Sequence, residues 1–210
     1  MEASMKPFLC ALGVACVLAS FSAAPAASQA IESAYTKFDA EKNCRHRPGR
    51  DVEDYGTWAC PGHDGIGVHL SAGDQRMQVS FGRTARKAHN ELAGEQSFPG
   101  FNSVYEGTVE WRLEPRPNGK KRPFATILRW NVREAGQEGV VASSGRVLVV
   151  TRLGAGGVCQ VGYVDARANP NANELARQIA DQHARKFDCE KDKPIVLGEV
   201  SPGIGMPTRE

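Results

Sequence analysis

Several side-chain groupings in this chain have the types used in metal, phosphate or acid–base chemistry, but none closes into a site on spacing alone. His63, Asp64 and His69 lie close together. Zinc needs three or four converging ligands with supporting partners, and two histidines and a carboxylate at this spacing match no recognised ligand pattern. The run Gly154-Ala155-Gly156-Gly157 has the composition of a phosphate-cradling loop. It leads from one strand pattern into another, not into a helix N-terminus, and no Lys-Ser/Thr follows it, so it reads as a hairpin turn. There is no Gly-x-Ser-x-Gly elbow, and Ser143-Ser144-Gly145 precedes a strand instead of crowning a strand-to-helix turn. Glu110 and Glu114 share one strand face while Glu106 cannot converge with both, and no opposed carboxylate completes an acid–base dyad. His183 falls on the apolar stripe of a predicted helix, which makes it a packed histidine and not a general base. The expectation is no catalytic residue, no metal and no cofactor.

Basic clusters are more visible. Arg116, Lys120, Lys121 and Arg122 crowd one predicted hairpin tip and form a candidate patch for an anionic partner, such as lipid headgroups or a cell-wall polymer. Arg45, Arg47 and Arg50 form a second cluster, and Arg83, Arg86 and Lys87 a third. Solvated turns are the competing reading of all three. Overall charge argues against a nucleic-acid binder, since 26 Lys and Arg face 24 Asp and Glu for a formal +2.

The first 30 residues carry an address. Lys6 precedes about fifteen mostly apolar residues, and small residues follow up to Ser28-Gln29-Ala30, the three-part layout of a secretory signal peptide. Cleavage is expected after Ala30, with Ala26 as the second choice. The apolar run is short for a membrane span, which needs about 20 residues, so no transmembrane segment is expected after its removal. Cys10 and Cys16 leave with the signal. Cys44, Cys60, Cys159 and Cys189 remain, and an even number in an exported chain points to two disulfides.

The elements that must position these groups follow from periodicity. Residues 66–81 read as a hairpin, 83–93 as a short helix, and 107–114, 124–132, 147–150 and 158–165 as strands joined by connections too short for parallel pairing. The clearest helix is 170–187, whose apolar positions recur at three–four spacing. A strand from Cys159 runs roughly 20 Å and the helix roughly 27 Å. A helix folded back over the sheet therefore returns Cys189 to Cys159 and leaves Cys44 to pair with Cys60. The 41% hydrophobic and 24% charged composition is that of a globular domain. The expected fold is α+β: an antiparallel sheet of about six strands with a C-terminal amphipathic helix on one face. Residues 31–190 form a single domain, and the Pro/Gly-rich tail 191–210 is expected to be flexible.

Three segments resemble one family. Tyr35-Thr36-Lys37-Phe38-Asp39 before Cys44, Cys60-Pro61-Gly62 before the hairpin, and CQVGYVDARANPNANELARQIADQHARKFDC over 159–189 are similar to an uncharacterised family of small exported alphaproteobacterial proteins. The resemblance implies export and a shared fold, and it carries no catalytic residue. The functional expectation is a periplasmic or secreted, non-enzymatic protein of structural or interaction type, with an envelope protein or anionic envelope polymer as partner. The alternatives are an inhibitor of an envelope hydrolase such as lysozyme, with Ser103-Val104-Tyr105-Glu106-Gly107 as its candidate loop, and a small hydrolase.

Overall fold

Period-two burial builds the centre of the molecule. The computed structural model describes residues 1–2, 30–51, 53–133 and 144–207, so the predicted signal segment apart from its ends lies outside the described residues. Strand β1 (Glu32–Asp39), β2 (Arg45–Arg47), β3 (Asp54–His63), β4 (Ile66–Gly73) and β5 (Arg76–Gly82) come first in the chain. A short helix α1 (Ala85–His89) and a 3-10 turn (Leu92–Gly94) follow, then β6 (Phe101–Ser103), β7 (Glu106–Pro115), β8 (Lys121–Arg133), β9 (Ser144–Arg152) and β10 (Cys159–Asp165). Helix α2 (Ala172–Ile179) continues into a π-turn over Ala180–Ala184, and β11 (Ile195–Val196) ends the order.

These strands form two sheets and not the single sheet of about six expected from periodicity. The larger, seven-stranded sheet runs β1-β7-β8-β9-β10-β11 with β6 also on β8, and the four-stranded sheet runs β2-β3-β4-β5. All pairs are antiparallel except β10 with β11. The sheets face one another across a core that takes Val68, Leu70, Met77 and Phe81 from the smaller and Trp111, Leu128, Trp130 and Tyr163 from the larger. The Phe81 and Trp111 rings meet edge-on at 5.6 Å and bridge the two layers. The Trp111 indole N–H, buried with its ring, donates to Thr36 Oγ1 at 3.1 Å. Cys60-Pro61-Gly62 is not the end of a segment, because β3 continues through it to His63.

The helix lies on one face of the larger sheet, as its apolar stripe predicts. A second core forms there from Ile127, Leu148, Val150, Val161, Ala176, Ile179 and Phe187. Strand β10, between β9 and the short edge strand β11, is buried along its whole length, as a strand covered on both faces must be. Gly162 lets the layers approach: a Cβ there would stand 2.4 Å from the Ile195 carbonyl oxygen and 3.1 Å from Ile179 Cγ2. Both disulfides form as the geometry predicts, Cys44–Cys60 and Cys159–Cys189.

The chain after Cys189 packs onto the domain across residue 190, through β11, the Leu197 amide bonded to the Tyr163 carbonyl, and the buried Ile204 beside Gly145. A clasp holds it. Asn169 donates to the carbonyls of Asp165 and Glu199 and accepts from the Glu199 amide, so it is not free to cap α2. The Asp165 carboxylate accepts from the amides of Arg167 (2.8 Å), Ala168 (3.3 Å) and Ser201 (2.8 Å). Burial works against its charge, but the Ser201 hydroxyl and these amides outweigh burial and hold the carboxyl below its ordinary 3.8. A carboxyl with a depressed folded value contributes fully above the unfolded pKa and loses that contribution as pH falls through the folded value. Amide exchange at Glu199–Ser201 should therefore stay slow above about pH 4 and accelerate, beyond the intrinsic rate, on further acidification. Asp165→Asn should remove this pH step, and a step that persists in the variant would assign it elsewhere.

Candidate functional site

The predicted hairpin tip exists, but its basic patch is partly neutralised. Arg116 and Lys120 flank the Asn118-Gly119 turn, with Gly119 at φ 73° and the Arg116 amide bonded to the Lys120 carbonyl at 2.7 Å. Lys121 pairs with Glu32 of β1, and Arg122 pairs with Glu114. Arg116 and Lys120 make no ion pair among the described residues. His63 packs beside Trp111 with ring centroids 5.9 Å apart, Asp64 occupies a left-handed turn position at φ 51°, and His69 Nε2 bonds the Gly82 carbonyl at 3.2 Å. No group of three metal-ligating side chains occurs among the described residues. Gly154–Gly157 links β9 to β10, and the carbonyls of Ala155 and Gly156 accept from the Arg152 guanidinium, the reverse of an anion-cradling loop.

One other reading changes. His183 is exposed and not packed on the apolar stripe, because the π-turn rotates the helix between Ala180 and Ala184. The stretch Ser103–Gly107 ends β6 and opens β7 around a two-residue link, Val104-Tyr105, with Val104 buried at 1% exposure and Tyr105 exposed.

Charges alternate along β7, yet Glu110 and Arg112 are 8% and 7% exposed. Helix α2 and its π-turn roof them with the opposite pattern. Glu110 accepts from Arg177 Nε at 2.6 Å and Nη2 at 3.2 Å, and from Ser33 Oγ at 2.5 Å. Arg112 forks onto Asp181 at 2.9 and 2.6 Å and also reaches Ser33. Arg185 stands 3.9 Å from Glu114. A strand reading Glu-x-Arg-x-Glu thus meets a helix reading Arg-x3-Asp-x3-Arg. That complementary spacing is the sequence signal by which the ladder can be found. Its carboxylates are each held by arginine donors, so it locks the helix down on the sheet.

Beyond the N-terminal end of α2 the same sheet face is open and basic. Arg129, Asn131 and Arg133 project from one face of β8 at every second residue, about 13 Å from first to last. Arg146 of β9 lies directly opposite Asn131 in the register, and neighbours across a ladder share a face. Arg167, just after β10, reaches across to the Ser144 carbonyl. These four arginines line one open groove of about 660 Å³, with Gln75, Asn102 and Ser103 on its other bank. Arg129 bonds Asn173 Oδ1 at 3.4 Å, and none of the four meets a carboxylate among the described residues. No helix among the described residues is long and apolar enough to cross a membrane. Comparison with protein-family models, with curated proteins and with solved structures returns no match to this chain.

Proposed function

We propose that this is an exported, non-enzymatic interaction protein of the periplasm or the external medium, whose basic groove receives an anionic envelope partner. Two disulfides support an oxidising destination. The observation that carries the binding reading is the convergence of Arg129, Arg133, Arg146 and Arg167 on one groove without a facing carboxylate among the described residues. Guanidinium groups fork onto carboxylate, sulfate and phosphate oxygens, and the sheet fixes the backbone spacing of Arg129, Arg133 and Arg146, so only their side chains need ordering on binding.

Retention of the purified protein on heparin, a sulfated polysaccharide, tests this. Exposed charges are screened over roughly 8 Å at physiological salt, so retention should weaken steadily as salt rises. The triple variant Arg129→Gln, Arg133→Gln, Arg146→Gln should elute at about half the salt needed for the unaltered protein, because exposed charge contacts contribute cumulatively. Arg116→Gln with Lys120→Gln should elute almost unchanged. The reverse pattern would move the contact to the hairpin tip and overturn the groove.

A further inference from the structure

The outer face of the four-stranded sheet carries a cleft that nothing described so far uses. The register aligns Arg45, Ala59, His69 and Ser80 in one row across β2-β3-β4-β5, and Arg47, Thr57, Ser71 and Gln78 in the next. Directly opposed residues share a face, so both rows point away from the inter-sheet core. Helix α1 closes the far side with Arg86 and His89. It is seated by Ala88 against Gly82, where a Cβ would stand 3.1 Å from the Ala88 amide. The enclosed space is about 240 Å³.

The floor of this cleft holds two buried polar atoms with no partner among the described residues, His69 Nδ1 and Ser80 Oγ, and Ser80 is only 2% exposed. They are neighbours in the register. His69 Nε2 faces the Gly82 carbonyl at 3.2 Å, a contact that requires the proton on Nε2 and leaves Nδ1 a bare acceptor. Burial lowers the His69 pKa below its ordinary 6.5, against the pull of the Gly82 carbonyl, and so favours the neutral ring. Native proteins seldom leave such groups unsatisfied, and each one calls for an occupant. In the next row Ser71 has satisfied itself by donating to Gln78 Oε1 at 3.0 Å. The walls supply three guanidinium groups, Arg45, Arg47 and Arg86, and no carboxylate among the described residues lines the space.

From this geometry we infer that the cleft is a binding site for a small hydroxylated organic anion, a hydroxy acid or acidic monosaccharide. Its carboxylate meets the wall arginines while a hydroxyl donates to His69 Nδ1 and accepts from Ser80. The arginines demand negative charge, and the bare imidazole nitrogen demands a donor on the same molecule. The volume lies below the ~300–1,000 Å³ of sites for larger ligands, which limits the ligand to about one sugar ring. The site is separate from the basic groove, and neither proposal needs the other.

Titration calorimetry and nitrogen-15 NMR of the purified protein with glucuronate, glucose and acetate test it. Glucuronate should bind saturably and shift the amide signals of His69 and Ser80. Glucose lacks the charge and acetate lacks the hydroxyl, and each should bind at least tenfold more weakly. Ser80→Ala and the double variant Arg45→Gln, Arg86→Gln should each weaken glucuronate at least tenfold while the amide spectrum outside the cleft stays unchanged. The triple groove variant should bind glucuronate normally, which separates this site from the other. Absence of saturable glucuronate binding, or equal binding of glucose, would overturn the site and leave the two polar atoms to ordered water.

Discussion

Replacing Arg112 with alanine is expected to destabilise the protein by about 3 kcal/mol, the lower end of the range for stripping one partner from a buried ion pair. Arg112 and Glu110 have side chains only 9% and 10% exposed, so water cannot take over the lost bonds. Asp181, 27% exposed, loses both of its guanidinium bonds at once. The cost stays near the lower end because Glu110 keeps Arg177 and Ser33. For a domain of this size each kcal/mol lowers the midpoint by about 2–4 °C, so the melting temperature should fall by about 10 °C. Arg122→Ala is the contrast. It breaks a pair whose arginine is 52% exposed, and such a pair contributes at most about 1 kcal/mol. Joining Glu110→Leu to Arg112→Met should recover part of the loss, since an apolar pair escapes the desolvation penalty that an orphaned charge suffers. Circular dichroism melts decide the matter. An Arg112→Ala midpoint indistinguishable from that of Arg122→Ala would mean that the ladder does not hold the helix.

Removing the Cys159–Cys189 bridge by Cys159→Ala with Cys189→Ala should cost about 3.5 kcal/mol on the chain-entropy account, from its separation of 30 residues. The Cys44–Cys60 bridge, with a separation of 16, should cost about 3 kcal/mol. The location of the loss distinguishes the bridges more sharply than its size. Cys159 opens β10 and Cys189 follows the π-turn, so this bridge pins the end of the helical roof to the sheet below it. Its loss should lower the urea midpoint and speed amide exchange first over 172–187. Loss of the other bridge should act first on β2 and β3. Matching exchange patterns in the two variants would contradict this division.

What the sequence discloses depends on whether burial leaves a period. Strands β7, β8 and β9 are legible because Val109, Trp111 and Leu113, then Leu128, Trp130 and Val132, alternate with polar residues, and because Val147–Val150 is apolar on both faces. The first three strands leave almost no trace. All of β2 is exposed, and β3 turns Gly56, Trp58 and Cys60 inward, so size and hydropathy do not mark its buried face. The second sheet therefore escapes the pattern even though its β4–β5 hairpin does not. The disulfides are legible because strand and helix lengths alone return Cys189 to Cys159. The groove is illegible for the opposite reason. Its arginines stand at 129, 133, 146 and 167, scattered along the chain, and only the register gathers them. The hairpin-tip cluster is contiguous and conspicuous, yet Lys121 and Arg122 point to opposite faces of β8 and each meets its own carboxylate.

The π-turn explains how a straight strand and a coiling helix stay in step. Four residues of α-helix overshoot a full turn by about 40°, so charges at 177, 181 and 185 on an unbroken helix would drift around its circumference and Arg185 would swing away from Glu114. Hydrogen bonds closing from i to i+5 widen the coil, and there four residues fall short of a turn. The wide turn at Ala180–Ala184 carries the second rung, Asp181, ends just before the third, and takes back the drift accumulated by the first step. It acts as a vernier between two rulers of different pitch. Deleting one residue from it would restore regular helix and leave the third rung out of register.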